Sequence, residues 1–467
     1  ADDGCDSATD DDETDPAPVY QCSDGIDNDG DGEIDLADDG CDSATDDDET
    51  DPASGNTYKV GPGRAYQTLE DALDSLNLEP GDVVEIDGDV TYSGGIRLRT
   101  QDGGSAQNPV VIRGISVNGN RPHIRGGTNV LQNDADYVVY DNLEISGTGN
   151  TSTGSFRCFF HKGTGIVIRN SYIHDCPRHG IQSADIGSGS LTVEYTRVTR
   201  AGSNNGNHAL YITTDQVNYP GSVFRLQFSY ISDSQFDDSR EGGNLIKTRA
   251  ERNEIYYNWL EGAYYHELEL IGPDPYGVDD GWRENLVRED SDVVGNVFYH
   301  TSDFSYPIRI GGDGTGQTNG RVRFVHNTMI GVGGSQISAF RIFDGIDSLE
   351  ANNNVFFNGG DGVRVFRDNE ADWVTGSAKI TGKNNWVESG ASYLPDGFSG
   401  TIFGSNPNLD DNMRPNAGSP LLDAATAATS PGGYGISNPL ADPAYMPSKL
   451  LQAVPRPATA DIGAVER

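Results

Sequence analysis

The stretch GNLIKTRAERNEIYYNWLEG, residues 243–262, decides the fold. Around Asn258 it runs apolar residues, a polar residue at a corner, then a second short apolar strand. The same arrangement recurs at Ser171 (VIRNSYI), Thr196 (VEYTRV), Ser229 (LQFSYI), Asn296 (VVGNVF), Asn327 (FVHNTM), Asn354 (ANNNVF) and Asn385. Successive corners lie 25, 33, 29, 38, 31, 27 and 31 residues apart. That irregularity excludes a helical repeat of fixed length but suits coils whose strands are constant and whose turns vary. Strands this short, joined by Gly and Asn without helix-length crossovers, do not build a doubly wound sheet. They wind as an all-β parallel β-helix, in which corner amides stack and satisfy the backbone of a buried turn. An all-β sandwich is the competing reading, and sandwiches do not place Asn at one strand end at this period.

Upstream, YKVGPGRAYQTLEDAL from Tyr58 gives a short strand, a Gly-Pro-Gly turn and a brief helix with a capping box at Thr68 and Asp71. Over residues 56–467 the sequence resembles the right-handed parallel β-helix, pectate-lyase-like superfamily. PGDVVEI (80–86) is similar to that superfamily's entry, and GSPLLDAA and ADIGAVER, within a closing segment 405–467, are similar to its exit. The resemblance implies about nine or more coils behind a short capping helix, a rod of about 40 Å at ~4.8 Å per coil. Lys247-Thr248-Arg249-Ala250 further resembles the Lys-Ser-Arg-Ala motif of a bacterial group of secreted β-helix proteins.

Residues 1–55 form a separate region. ADDGCDSATDDDETDPA occupies residues 1–17 and again 37–53. Residues 1–53 hold 22 of the 72 acidic side chains and no Lys or Arg, so the formal charge of −40 divides into −22 and −18. Too little apolar material is present there for a core. With Asp27 at position one of a calcium loop, oxygen ligands fall at Asp27, Asp29, Asp31, the Glu33 carbonyl and Asp35, with Asp38 at position twelve. This irregular acidic segment resembles the EF-hand-like loops of dockerins and thrombospondin type 3 repeats. The resemblance implies bound Ca²⁺, although Asp replaces the usual Glu at position twelve. Cys22 and Cys41 are placed to close the clip, which leaves Cys5 odd and points to truncation or to an intermolecular bond.

No run of about 18 apolar residues is present, so no membrane-spanning helix is expected. The acidic balance disfavours nucleic acid. Cysteine usage and the Asn-Gly turns suggest a secreted or cell-surface chain. Cys158 and Cys176 read equally as a disulfide or as two buried thiols. His161, His174, His179 and His208 fall in neighbouring coils, where a His/Tyr pair at His208 and Tyr211 has proton-transfer potential, and no pair of histidines has metal-ligand spacing.

Charged residues alternate along LIKTR (Lys247, Arg249), HELEL (Glu267, Glu269), PIRI (Arg309), AFRI (Arg341) and VRV (Arg364), which puts them on one face. Two readings compete for that stripe. In one, Lys247 or Arg249 is the base and Arg309 the carboxylate clamp of a polysaccharide lyase. In the other, the charges form a salt-bridged ladder, favoured because no acidic quartet for a catalytic calcium adjoins them. The exact tandem repeat, the unpaired Cys5 and a surface charge unhelpful to polyanionic substrates favour a structural or adhesive component of an extracellular assembly, self-associating or joining another component through its acidic arm. The alternative is an enzyme acting on acidic extracellular polysaccharide, and an uncovered groove beside Lys247 would favour it.

Overall fold

The computed structural model describes residues 20–26, 34–37, 41, 43–45, 55–150, 152–237, 241–272, 290–311, 320–343, 346–367, 380–427, 443–457 and 460–467. Each coil carries three strands. Arg252–Tyr256 lies in a first sheet, Trp259–Glu261 in a second and Leu268–Leu270 in a third, before Asp290–Val294 returns to pair in parallel with Arg252–Tyr256. Among the described residues the three sheets hold thirteen, twelve and ten strands. The result is a right-handed parallel β-helix with more coils than the corners count. The sequence pattern marks only the junction between the first and second sheets; LIKTR, HELEL and PIRI belong to the third.

The corner geometry has a local cause. The residue before each polar corner adopts left-handed φ: Asn170 (51°), Tyr195 (47°), Phe228 (50°), Tyr257 (59°), Gly295 (68°), His326 (52°), Asn353 (55°) and Asn384 (51°). Each L-residue there costs about 1–2 kcal/mol. The ladder behind it repays this. Asn258 Nδ2 donates to Asn296 Oδ1 (3.0 Å), Asn296 to Asn327 (3.1 Å), Asn327 to Asn354 (3.1 Å) and Asn354 to Asn385 (3.0 Å). Each acceptor oxygen also takes the backbone N–H of the preceding corner, as from Asn258 N to Asn296 Oδ1 (2.9 Å). Upstream, hydroxyls replace amides: Ser171 N donates to Thr196 Oγ1 (3.3 Å) and Thr196 N to Ser229 Oγ (3.2 Å).

Inward residues of all three sheets merge into one core. Its C-terminal half carries an aromatic stack, with Phe324–Phe340 at 5.1 Å and Phe340–Phe356 at 5.6 Å between ring centres. Helix Leu69–Ser75 covers the first coil with Leu69, Ala72 and Leu73, and Thr68 and Asp71 form the expected capping box. The closing segment does not lie over the last coil alone. Met413, Leu421, Met446, Ile462 and Val465 pack sideways on the outer face of the second sheet, against Trp259, Val297, Ile330, Val355 and Trp386. Among the described residues two disulfides are formed, Cys22–Cys41 and Cys158–Cys176.

Candidate functional site

Strand register turns the third sheet's outer face into a row. Tyr211 pairs with Lys247, Lys247 with Glu269, Glu269 with Arg309 and Arg309 with Arg341. Each neighbour sits one strand spacing, about 4.8 Å, from the next. Lys247 Nζ lies 3.8 Å from Glu269 Oε2, and Arg309 Nη1 lies 2.7 Å from Glu269 Oε1. The ladder of the sequence reading is therefore present in part, at Lys247, Glu269 and Arg309. It also lines a pocket of about 360 Å³ formed by Asn205, Asn244, Lys247, Tyr265, His266, Glu269, Phe304, Arg309 and Arg341. The side chains of Lys247 and Arg309 are 12% and 17% exposed, so both reach the opening from a largely buried base. Three cations face one carboxylate there.

The walls hold the charged groups in place. Asn244 Nδ2 donates to Glu269 Oε2, leaving that carboxylate shared between an amide and two cations. Lys247 Nζ also sits 5.4 Å from the centre of the Tyr211 ring. Arg341 lies over Tyr306 (5.2 Å) and Phe343 (4.6 Å), and Arg309 over Phe343 (4.9 Å). Tyr265 and Phe304, also in the lining, meet edge to face at 5.0 Å, and Phe304 meets Tyr306 at 5.4 Å. Burial, helped by Arg309 and Arg341, pushes His266 down to about 4 despite Glu269 and the Tyr306 carbonyl, so a neutral imidazole lines the pocket. His179 and His208 continue this buried row: His208 N donates to His179 Nδ1 and Asn244 N to His208 Nδ1. Burial keeps both neutral, His179 near 3.

Three sequence-based placements change. Arg249 does not enter the pocket: it is buried, donating to the Tyr211 hydroxyl (3.2 Å) and the Gly272 carbonyl (2.7 Å), which makes it a support for Tyr211 beside Lys247. Glu267 does not share Glu269's face, because it precedes the strand Leu268–Leu270, where alternation has not begun. Its carboxylate instead meets His300 Nδ1 at 2.9 Å in a fully buried pair. Arg364 pairs in register with Ser338, not Arg341, and Phe366 with Phe340, which places Arg367 next along the row. Arg367 accordingly lies over Tyr306 at 5.2 Å.

The aromatic cluster divides as well. Tyr256, Tyr257 and Trp259 are buried, while Tyr264 and Tyr265 are half-buried, with Tyr265 in the pocket wall. His161 is a core residue against Ser183, held near 3 by burial. In the acidic arm, Asp27, Asp29, Asp31, Glu33 and Asp38 lie outside the described residues. Asp35 accepts from Gly25 N at 2.9 Å. No described helix is long and apolar enough to cross a membrane.

No family model and no curated protein matches the chain. Among solved structures, pectate lyase Pel9A aligns at 14% identity and TM-score 0.51, covering 89% of this chain and 97% of its own. PL6 family alginate lyase AlyGC aligns at 12% and 0.42 (76% and 54% covered), and the GH136 lacto-N-biosidase from Eubacterium ramulus at 14% and 0.43 (75% and 67%). The Pel9A alignment spans nearly all of both chains and follows the same stacked parallel sheets. The chain thus has a right-handed parallel β-helix of the pectate-lyase-like type.

Proposed function

We propose that this chain is a secreted carbohydrate-active enzyme that cleaves an acidic extracellular polysaccharide by β-elimination in the third-sheet pocket. The observation that carries this reading is the opening beside Lys247, where three cations converge on a groove walled by Tyr265 and Phe304. A uronate carboxylate placed against Arg309 and Arg341 has its charge neutralised, which acidifies the proton at C5. Lys247 is the base that takes that proton. The C5–H electron pair forms the C4=C5 double bond, the glycosidic C4–O bond breaks, and the leaving oxygen takes a proton from water. Glu269 lies between Lys247 and Arg309 in the row and holds both side chains on this face. The aromatic wall supplies a face for the sugar ring.

Two disulfides and the polysaccharide chemistry support an extracellular site of action. The acidic arm, on this reading, is a calcium-dependent attachment segment that holds the enzyme near its substrate or to another extracellular component. The test is incubation with pectate, alginate and chondroitin while following ultraviolet absorbance of the unsaturated product. Absence of product from every acidic glycan refutes the proposal.

A further inference from the structure

A second constellation lies on the outer face of the second sheet, in coils N-terminal to the pocket. His123 begins the strand His123–Arg125, Glu144 begins Glu144–Ser146, and His174 is the third residue of Tyr172–Cys176. Register sets His123 beside Glu144, and Glu144 beside Tyr172, with His174 two residues further along its strand beside Ser146. One ligand atom from each of His123, Glu144 and His174 comes within 4.8 Å of the others, and all three side chains are half-buried. Sequence spacing hides this, because the three residues are separated by 21 and 30 positions.

The orientation of His174 is over-determined. Tyr172 stacks on its ring at 4.1 Å, and Asp175 Oδ2 lies 2.8 Å from its Nδ1. Asp175 is itself held by Arg200 Nε at 2.7 Å. Nδ1 therefore donates to Asp175, and Nε2 turns toward Glu144 Oε1 at 3.0 Å. A neutral imidazole has one N–H, so this arrangement points a nitrogen lone pair at a carboxylate oxygen. Either a second proton or a cation between the two atoms resolves that repulsion. His123 Nε2 approaches the same carboxylate oxygen from the other side at 3.8 Å and meets Ser146 Oγ at 2.7 Å, a hydrogen bond that an arriving ion would displace.

From this convergence we infer that His123, Glu144 and His174 form a binding site for a zinc-class divalent cation. Two imidazole nitrogens and one carboxylate are the donor set of a three-ligand zinc centre with one position left to water. Imidazole selects zinc, copper, nickel or cobalt over calcium, which takes oxygen ligands. The site is thus chemically distinct from the calcium expected in the arm. Asp175 is the outer carboxylate that fixes the metal-binding tautomer of His174. With its ligands on three consecutive coils, the ion ties those coils together at the sheet surface.

The test uses the full chain, stripped with chelator and then held in excess calcium so that carboxylate sites are filled. Titration with Co²⁺ is expected to produce visible d–d absorption from about one equivalent per chain, abolished by Zn²⁺. His174→Ala should remove the band, and Glu144→Gln, which keeps the side chain's shape, should weaken binding at least about tenfold should the histidine variant misfold. Asp175→Asn should weaken it about 10–100-fold with the spectrum retained, a result that loss of fold would not give. An unchanged cobalt spectrum in both Glu144→Gln and the His123→Ala/His174→Ala double variant overturns the inference, as does the absence of any band in the unmodified chain.

Discussion

Asn296 occupies the middle of the amide ladder, and its replacement by Ala tests whether that ladder or the apolar core fixes the corners. In the native chain Asn296 Oδ1 accepts from Asn258 N (2.9 Å) and Asn258 Nδ2 (3.0 Å), while its Nδ2 donates to Ile255 O (2.8 Å) and Asn327 Oδ1 (3.1 Å). After truncation, Asn258 Nδ2 keeps the Leu226 carbonyl and Asn327 Oδ1 keeps Asn296 N. The Asn258 N–H loses its acceptor, while the Ile255 and Val294 carbonyls each lose the Asn296 Nδ2 donor (2.8 and 3.2 Å), the Val294 carbonyl keeping Tyr257 N (3.1 Å). At about 1–3 kcal/mol for the buried Asn258 N–H left unsatisfied, the loss is at least about 1–3 kcal/mol. Asn296→Asp sharpens the test: it keeps the acceptor but aims carboxylate oxygens at the Ile255 carbonyl and Asn327 Oδ1. The aspartate should be at least as destabilising as the alanine. Urea unfolding followed by circular dichroism reads both variants against the native chain. A loss below about 1 kcal/mol for the alanine, typical of surface changes, or an aspartate better tolerated than alanine, refutes the reasoning.

At the candidate site, Lys247→Ala should lower polysaccharide cleavage by about 10²–10⁴-fold with little change in KM. Arg309→Ala should raise KM as well, because it removes a clamp on the substrate carboxylate; steady-state kinetics on the cleaved glycan separates the two. Burial opposes charge on His300, but the Glu267 carboxylate and the Phe304 carbonyl outweigh it and raise its pKa above the ordinary value. Its stabilising contribution is therefore complete below about pH 6.5 and is lost as pH rises through the raised folded-state value. Stability measured against pH should show that decline in the native chain and not in Glu267→Gln. In the arm, calorimetric titration should show calcium uptake that Asp29→Ala and Asp31→Ala each reduce by about one site; heat identical to the native chain would remove the arm from the calcium-binding class.

The fold was legible because a polar residue in an apolar run has few places to go. Asn258, Asn296, Asn327, Asn354 and Asn385 mark their corners without help from distant contacts. The first coils escape that signal because Leu143 stands at the equivalent corner, and its N–H is served from outside by Ser171 Oγ at 3.1 Å. The charged row was legible from Lys247 through Glu269 and Arg309 to Arg341, where strict alternation holds. It failed at Arg364, where the outward residue was identified but its register was not, and at Glu267, where a turn residue was counted as strand. Arg249 does face outward, but alternation alone cannot tell an open face from a covered one. His123, Glu144 and His174 lay beyond reach for a further reason: residues one coil apart are joined by turns of unequal length, so sequence spacing carries no register.

A formal charge of −40 argues against a polyanionic substrate only if that charge acts uniformly. Twenty-two of the acidic groups belong to the arm, and the rest of the chain sets 50 acidic side chains against 32 basic ones. Exposed charges farther apart than about 8 Å are largely screened at physiological salt. Neighbours on the Lys247–Glu269–Arg309–Arg341 row are about 4.8 Å apart, inside one screening length, and their side chains rise from a largely buried base. A carboxylate entering the pocket meets the local excess of cations before it meets the average of the molecule. The aromatic wall strengthens that meeting, since Tyr265 and Phe304 exclude water from one side and lower the effective dielectric. On the proposed function, the diffuse negative charge would do separate work: it would disfavour polyanions elsewhere on the rod and leave the row on the third sheet as the place to hold an acidic glycan.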